Sequence, residues 1–152
     1  MSNLIKNPSF EAGLANWVAT NVAPADFNAF EGTATARMGP GVASLYQDIP
    51  ITGFARPSFE LSFAVESPFV FNPGNLTAQV HWLDISGNVI GIGASVFIPS
   101  ATTGFQFFWL TVATATEPAP SNATAARIIF SKSAGTGNNV LDLDLVVLTR
   151  VG

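Results

Sequence analysis

Side chains that could carry acid–base or nucleophilic chemistry are sparse in this sequence. It has one histidine, His81, and no cysteine. A glycoside hydrolase needs two carboxyl groups about 5–9.5 Å apart across a cleft, and Glu60 and Glu66 are one conceivable pair. Both fall at outward positions of one predicted strand, which indicates solvated surface. His81 lies beside Trp82 within another strand, where a structural role is favoured. The sequence therefore predicts that the protein is not an enzyme.

Binding of a sugar needs fewer groups than catalysis does. Pyranose rings stack on exposed Trp or Tyr, and polar side chains around them fix the orientation. The chain has three Trp and one Tyr. Trp82 shares a strand face with apolar residues and is expected to point inward. Tyr46 remains, with Gln79 and His81 as outward polar companions, and these three residues form the candidate sugar-binding set.

Composition excludes several classes of partner. Only 11% of the residues are charged and the net charge is -4, whereas a nucleic-acid-binding protein presents a basic face. The absence of cysteine excludes disulfides and thiolate metal sites. No apolar run approaches the roughly 18 residues of a membrane span, and no secretory signal is visible at the N-terminus.

Short apolar runs separated by Pro and Gly indicate many strands and little helix. In "FELSFAV", apolar residues alternate with Glu60, Ser62 and Ala64, which is typical of a strand with one buried face. The predicted strands are Ala34–Met38, Ala43–Ile49, Phe59–Val65, Leu76–Asp84, Asn88–Pro99, Phe105–Ala113, Ala126–Lys132 and Val140–Leu148. Their number and length predict a single all-β domain over residues 1–152, an antiparallel two-sheet sandwich of jelly-roll type.

Two predicted strands are apolar on both faces. In "FQFFWLTVA", Phe108 and Leu110 oppose Phe105, Phe107 and Trp109, and "LDLDLVVL" shows a similar conflict. A strand of this kind is buried on both faces. A β-bulge that resets the alternation, a covering loop or a neighbouring subunit would each account for it.

Self-association is the explanation that suits a chain so poor in charge, since obligate interfaces resemble a protein core. The loop Ser67–Asn75 also carries Phe69 and Phe71 where polar residues are expected. Phe69, Phe71, Phe108 and Leu110 are therefore the candidate interface residues of a homo-oligomer, filament or surface layer.

The two ends of the chain resemble those of galactose-binding-like jelly rolls found among carbohydrate-binding modules. The matching N-terminal residues are Asn7, Ser9, Phe10, Glu11, Gly13, Leu14 and Trp17. The matching C-terminal run begins at Asp144, where Leu145 replaces the second acid of the pattern. The resemblance covers nearly the whole chain and implies the galactose-binding-like sandwich, with Trp17 in its core.

Within that group the chain looks most similar to the N-terminal domain of some Bacillus-type spore-surface proteins, in which such a domain precedes a collagen-like tail. This sequence has no Gly-x-y tract. The resemblance implies a location at a bacterial spore or cell surface.

The same resemblance implies a structural calcium ion. Calcium takes six to eight oxygen ligands, and by position the candidates are Glu11, Asp144 and Glu31. Asp142 could replace the missing second acid or face solvent. Without a metal, Glu11 would pair with Lys6 or Arg37, and Asp144 would cap a loop.

Two functions follow as expectations. The first is a non-catalytic structural subunit of a bacterial surface assembly that self-associates through apolar strand faces. The alternative is a carbohydrate-binding module that recognises a glycan through a few exposed aromatic and polar residues.

Overall fold

The computed structural model describes residues 2–69, 72–103 and 108–152, which form two antiparallel sheets of five strands each. In chain order the strands are β1 (Val18–Thr20), β2 (Val22–Ala25), β3 (Thr35–Met38), β4 (Ala43–Pro50), β5 (Phe59–Glu66), β6 (Leu76–Leu83), β7 (Val89–Ile98), β8 (Leu110–Ala115), β9 (Ala125–Lys132) and β10 (Leu141–Arg150). Sheet A has the order β1-β4-β9-β6-β7, and sheet B has the order β2-β3-β10-β5-β8. The predicted all-β, two-sheet sandwich is confirmed.

Aromatic rings from both sheets fill the space between them. Phe63 of sheet B meets Phe130 of sheet A edge-on, with ring centroids 5.0 Å apart, and Phe59 meets Trp82 at 6.1 Å. The Trp82 ring lies against the backbone of Gly93, where an added Cβ would come within 2.5 Å of the ring. These buried rings confirm the inward orientation predicted for Trp82.

A β-bulge explains the two-faced pattern of β10. Its pairing with β5 shifts register between Asp144 and Val147, and Leu145 has a φ of 45°. Leu143 before the bulge and Val146 after it are both fully buried. The extra residue changes the parity of the alternation, so one strand presents apolar side chains to the core on both sides of the bulge.

The other two-faced strand is resolved differently. Phe105 and Phe107 lie outside the described residues. Leu110 and Val112 of β8 pack against the core, whereas Phe108, which precedes the strand, is 74% exposed. Leu110 and Phe108, predicted to share one surface, therefore have different surroundings.

The segment formed by residues 26–34, here called the strap, crosses the outer face of sheet B. Asn28 donates to Glu66 on β5, and the Trp109 Nε1–H donates to the Asn28 carbonyl. The Phe30 and Glu31 amides donate to Asp144 on β10. The strap thus covers polar side chains that the strand alternation directs outward from sheet B.

No helix within the described ranges is long and apolar enough to cross a membrane.

Candidate functional site

The outer face of sheet A carries the predicted sugar-binding residues. Antiparallel pairing sets Tyr46 of β4 opposite Ile129 of β9, and Ile129 opposite Gln79 of β6. His81 lies two residues along from Gln79 and therefore shares its face. The structure thus brings Tyr46, Gln79 and His81 onto one half-exposed surface. Their role in sugar binding stays a prediction.

A chain of hydrogen bonds fixes the polar groups of this face. His81 Nε2 is 2.7 Å from Gln79 Oε1, and Gln79 Nε2 donates to Ser95 Oγ at 3.0 Å. An amide oxygen only accepts, so His81 Nε2 carries the proton and Nδ1 is an acceptor. Burial, and secondarily the Arg127 charge, lower the pKa of His81 below its ordinary value. The imidazole is therefore neutral at pH 7 and offers a fixed acceptor.

Arg127 occupies one face of the Tyr46 ring. Its guanidinium carbon lies 4.0 Å from the ring centroid, and its Nε and Nη2 donate to both oxygens of Asp48 at 2.8 and 3.0 Å. Both charges of this pair are therefore partnered. A sugar could stack on Tyr46 only from the side that Arg127 leaves open.

Phe97 of β7 is an aromatic residue of this face that the sequence analysis missed. It pairs with Thr77, an outward residue of β6, and its side chain is 61% exposed. The sequence signal for its outward orientation was its spacing of two residues from Ser95, which puts both side chains on the same face of the strand. Neighbouring strands lie about 4.8 Å apart, so a strip about 14 Å wide, formed by outward residues of β9 and β6 that include Ile129, separates β4 with Tyr46 from β7 with Phe97.

The three residues predicted to bind calcium all serve as loop anchors. Glu11 accepts from the Thr33 and Ala34 amides, and these bonds lower its pKa. Asp144 accepts from amides on both oxygens, and Ser9 Oγ donates to Glu31.

The backbone N–H donors already engage carboxylate oxygens that a calcium ion would bind. No three acidic or histidine side chains among the described residues group as metal ligands, and calcium also takes backbone carbonyl oxygens. Calcium binding would need the strap to rearrange, and it stays a prediction.

The calcium hypothesis predicts a higher melting temperature in calcium than in excess chelator, since a ligand of the native state adds RT ln(1 + [L]/Kd) to stability. Glu11→Gln should remove that difference. Differential scanning fluorimetry of a verified metal-free sample measures it, and equal melting temperatures would contradict the hypothesis.

Buried acids lie beneath the strap, where the sequence predicted solvated surface. Asp142 pairs with Arg37 through two hydrogen bonds of 2.8 and 2.9 Å, and Glu66 is directly across the ladder from Asp142. Glu66 is fully buried, and its Oε2 has no hydrogen-bond partner. The prediction that Glu66 is solvated is therefore wrong, and of the two alternatives for Asp142, the one in which it faces solvent is excluded.

Of the remaining candidate interface residues, the structure describes Phe69, whereas Phe71 lies outside the described residues. Phe69 is 36% exposed and contacts Phe27 of the strap and the Arg37 guanidinium. Self-association through this set stays a prediction.

No protein-family model and no curated protein sequence matches the chain. Solved structures do match it. The structure of TmCBM61 in complex with β-1,4-galactotriose has a TM-score of 0.69 and 18% identity, over 99% of this chain and 100% of that one. The Stig cyclase FisC from Fischerella sp. TAU has a TM-score of 0.72 and 15% identity, over 98% and 96%.

The enzymatically active domain of bacteriophage CBA120 tailspike protein 4 matches with a TM-score of 0.75 and 18% identity over 98% of this chain. This chain spans only 21% of that protein. Other β-sandwich carbohydrate-binding modules also match.

Identities this low show a shared fold, and one fold hosts many functions. They agree with the two-sheet β-sandwich fold, which these carbohydrate-binding modules, the cyclase and the tailspike domain share. None of these structures bears on the spore-surface resemblance, which stays a prediction.

Proposed function

We propose that the chain is a carbohydrate-binding module that holds a glycan on the outer face of sheet A. The observation that carries this proposal is the convergence of Tyr46, Gln79 and His81 on one open face, where hydrogen bonds link His81 to Gln79 and Gln79 to Ser95. The other outer face is covered in part by the strap, whose anchors use its outward polar groups.

The chemistry of the face suits a neutral sugar. His81 Nδ1 accepts from a sugar hydroxyl, while the Gln79 amide and Ser95 are oriented beside it. Asp48 and Arg127 neutralise each other, so the face has no unpaired charge to select an acidic glycan. Phe97 offers an apolar ring at the far side of the strip.

Matches to sugar-binding proteins support the proposal. One of them is described in complex with β-1,4-galactotriose, and another is a xylan-binding domain. Both match this chain over more than nine-tenths of its length.

The face is proposed to bind without catalysing. Asp48 is the carboxylate among the outward residues of β4, β6 and β9, and Arg127 engages both its oxygens. A hydrolase of the usual kind needs a second carboxyl group across the bond, and none of the outward residues described on those strands supplies it.

Removal of Gln79 tests the proposal. Gln79→Ala deletes one sugar-facing amide and frees the His81 ring, so the affinity should fall at least about tenfold, as expected for two polar contacts. The measurement is affinity electrophoresis in β-1,4-galactan and in xylan. Glu60→Ala, an exposed residue on the outer face of sheet B, is the matched control.

Retardation of the unmodified protein by either polysaccharide, lost in Gln79→Ala and kept in Glu60→Ala, is the expected pattern. Equal retardation of both variants would place binding elsewhere and overturn the proposal.

A structural subunit that self-associates, and a location at a spore or cell surface, stay proposals. For self-association, the structure favours the exposed edge of β8 rather than the predicted set of Phe69, Phe71, Phe108 and Leu110.

A further inference from the structure

One side of the sandwich has no charged residue in its strands. The stretch Ile85–Thr116 contains no Asp, Glu, Lys, Arg or His. It supplies β7, the edge of sheet A, and β8, the edge of sheet B, and these two strands contact each other. Phe108, which directly precedes β8, is 74% exposed. Ile92 and Phe97 of β7 are also exposed, but they pair with His81 and Thr77 and so belong to the outer face of sheet A.

The edges on the opposite side are short or interrupted. β1 has three residues, and β2 contains Pro24, which has no backbone donor. Natural sheets block their edges in these ways, and also with charges and bulges, because an open edge pairs with other chains. β7 shifts register twice against β6, which disturbs its edge too.

β8 lacks every one of these protections. Its sequence, LTVATA, has no proline, glycine or charge, and its register with β5 is regular from Leu110 to Ala115. It is the one edge strand described here with an uninterrupted, uncharged ladder.

The direction of each backbone group in β8 follows from the register. The Thr116 amide donates to the Phe59 carbonyl at 2.8 Å. In an antiparallel pair, residues that exchange such bonds alternate with residues that do not. Leu110, Val112 and Thr114 therefore bond to β5, while the N–H and C=O groups of the intervening residues point to the open edge. Those residues are Thr111, Ala113 and Ala115.

We propose that β8 is the pairing strand of a homodimer, in which two copies of this chain join β8 to β8 in antiparallel order. A twofold axis at Ala113 sets Thr111 of each copy opposite Ala115 of the other. This register gives three facing pairs and about six hydrogen bonds. It extends sheet B continuously across both copies.

A second copy fits this edge because the edge is complementary to itself. Antiparallel strands of identical sequence present donors to acceptors in both directions, which makes a closed, isologous contact. The outward side chains are small, so they do not obstruct the approach. β7 and β8 themselves carry no charge that would select an acidic or basic partner.

The available area agrees with a weak dimer that forms at high protein concentration. β8 has six residues and is therefore about 20 Å long, and two packed sheets with their side chains are about 20 Å deep. This gives about 400 Å² per copy and about 800 Å² in total, at the small end of protein interfaces, so the strand hydrogen bonds carry much of the specificity. The proposed sugar-binding face of sheet A stays open in such a dimer.

The experiment is sedimentation equilibrium over a range of protein concentrations. Ala113→Pro removes an edge amide without removing a bond to β5. By symmetry it deletes two intermolecular hydrogen bonds, so dimerisation should weaken at least about tenfold. Ala113→Val, which keeps the amide and suits a strand, should still dimerise.

Thermal melting of each variant checks that the fold is kept. If Ala113→Pro fails to fold, Ala113→Lys takes its place, because it sets like charges beside each other across the twofold axis. A monomer at every concentration of the unmodified protein would overturn the proposal. So would a dimer that the folded proline or lysine variant leaves unchanged.

Discussion

Replacement of Glu66 by glutamine is expected to stabilise the protein at about pH 8 and to change little at about pH 4. Burial, and secondarily the Asp142 charge, raise the pKa of Glu66 to about 7, against an ordinary value of 4.5. The strap contributes Asn28, which donates to one carboxyl oxygen, and β3 contributes Arg37, which is already bonded to Asp142. Glu66 therefore has no cation of its own.

The sign of the pH dependence follows from the raised pKa. Between about pH 4.5 and pH 7 the folded chain holds a proton that the unfolded chain releases, so stability falls as the pH rises through this window. One pKa unit corresponds to about 1.4 kcal/mol, so ionised Glu66 costs on the order of 3 kcal/mol at pH 8. Glutamine keeps the acceptor for Asn28 and removes the charge.

Urea unfolding at several pH values measures this effect. Glu66→Gln should gain about 2–3 kcal/mol at pH 8 and show a flatter pH profile between 5 and 8. Glu60→Gln changes an exposed residue of the same strand and should stay within about 0.5 kcal/mol of the unmodified protein. An unchanged pH profile in Glu66→Gln would show that Glu66 does not titrate in this window.

Loss of Arg37 is expected to have the largest effect of any single substitution at the strap. Arg37→Met leaves Asp142 and Glu66, both fully buried, without a cation. Removal of one partner from a buried ion pair costs about 3–5 kcal/mol. The cost should shrink at low pH, because burial already raises the pKa of Asp142 and protonation of both acids removes the unpaired charges.

Arg127→Met provides a matched control, since Arg127 makes the same two-bond contact with Asp48 on an exposed face. The side chain of Asp48 is 40% exposed and that of Asp142 is 0% exposed. Loss of the exposed pair should cost about 1 kcal/mol or less. The free energy of unfolding is measured in urea at pH 8. Equal decreases in Arg37→Met and Arg127→Met would contradict the conclusion that burial makes the Arg37–Asp142 pair the more important one.

Local alternation was sufficient to predict much of the fold. Period-two patterns in β5, β6 and β9 depend on neighbouring residues alone, and they placed Phe63, Trp82 and Phe130 in the core, where the structure has them. The same patterns placed Tyr46, Gln79 and His81 outward, so the members of the proposed sugar face were predictable. Phe97 was missed, although it follows the same alternation.

The buried acids were not predictable in this way. Alternation correctly turned Glu66 and Asp142 away from the core, but it could not show that a distant segment covers them. The strap reaches Asp144 through amides more than 100 positions away in the chain. A local pattern carries no information about contacts of that sequence separation, so burial of an outward residue emerges only from the folded arrangement.

Binding of a glycan to the outer face of sheet A is most directly tested by an NMR titration of the isotope-labelled protein with β-1,4-galactotriose and with xylo-oligosaccharides. We expect chemical-shift changes that centre on the side-chain amide of Gln79, the ring of His81 and the backbone of β4, β6 and β9. Signals from the strap should stay unchanged. Changes confined to the strap, or no change with either sugar, would contradict it.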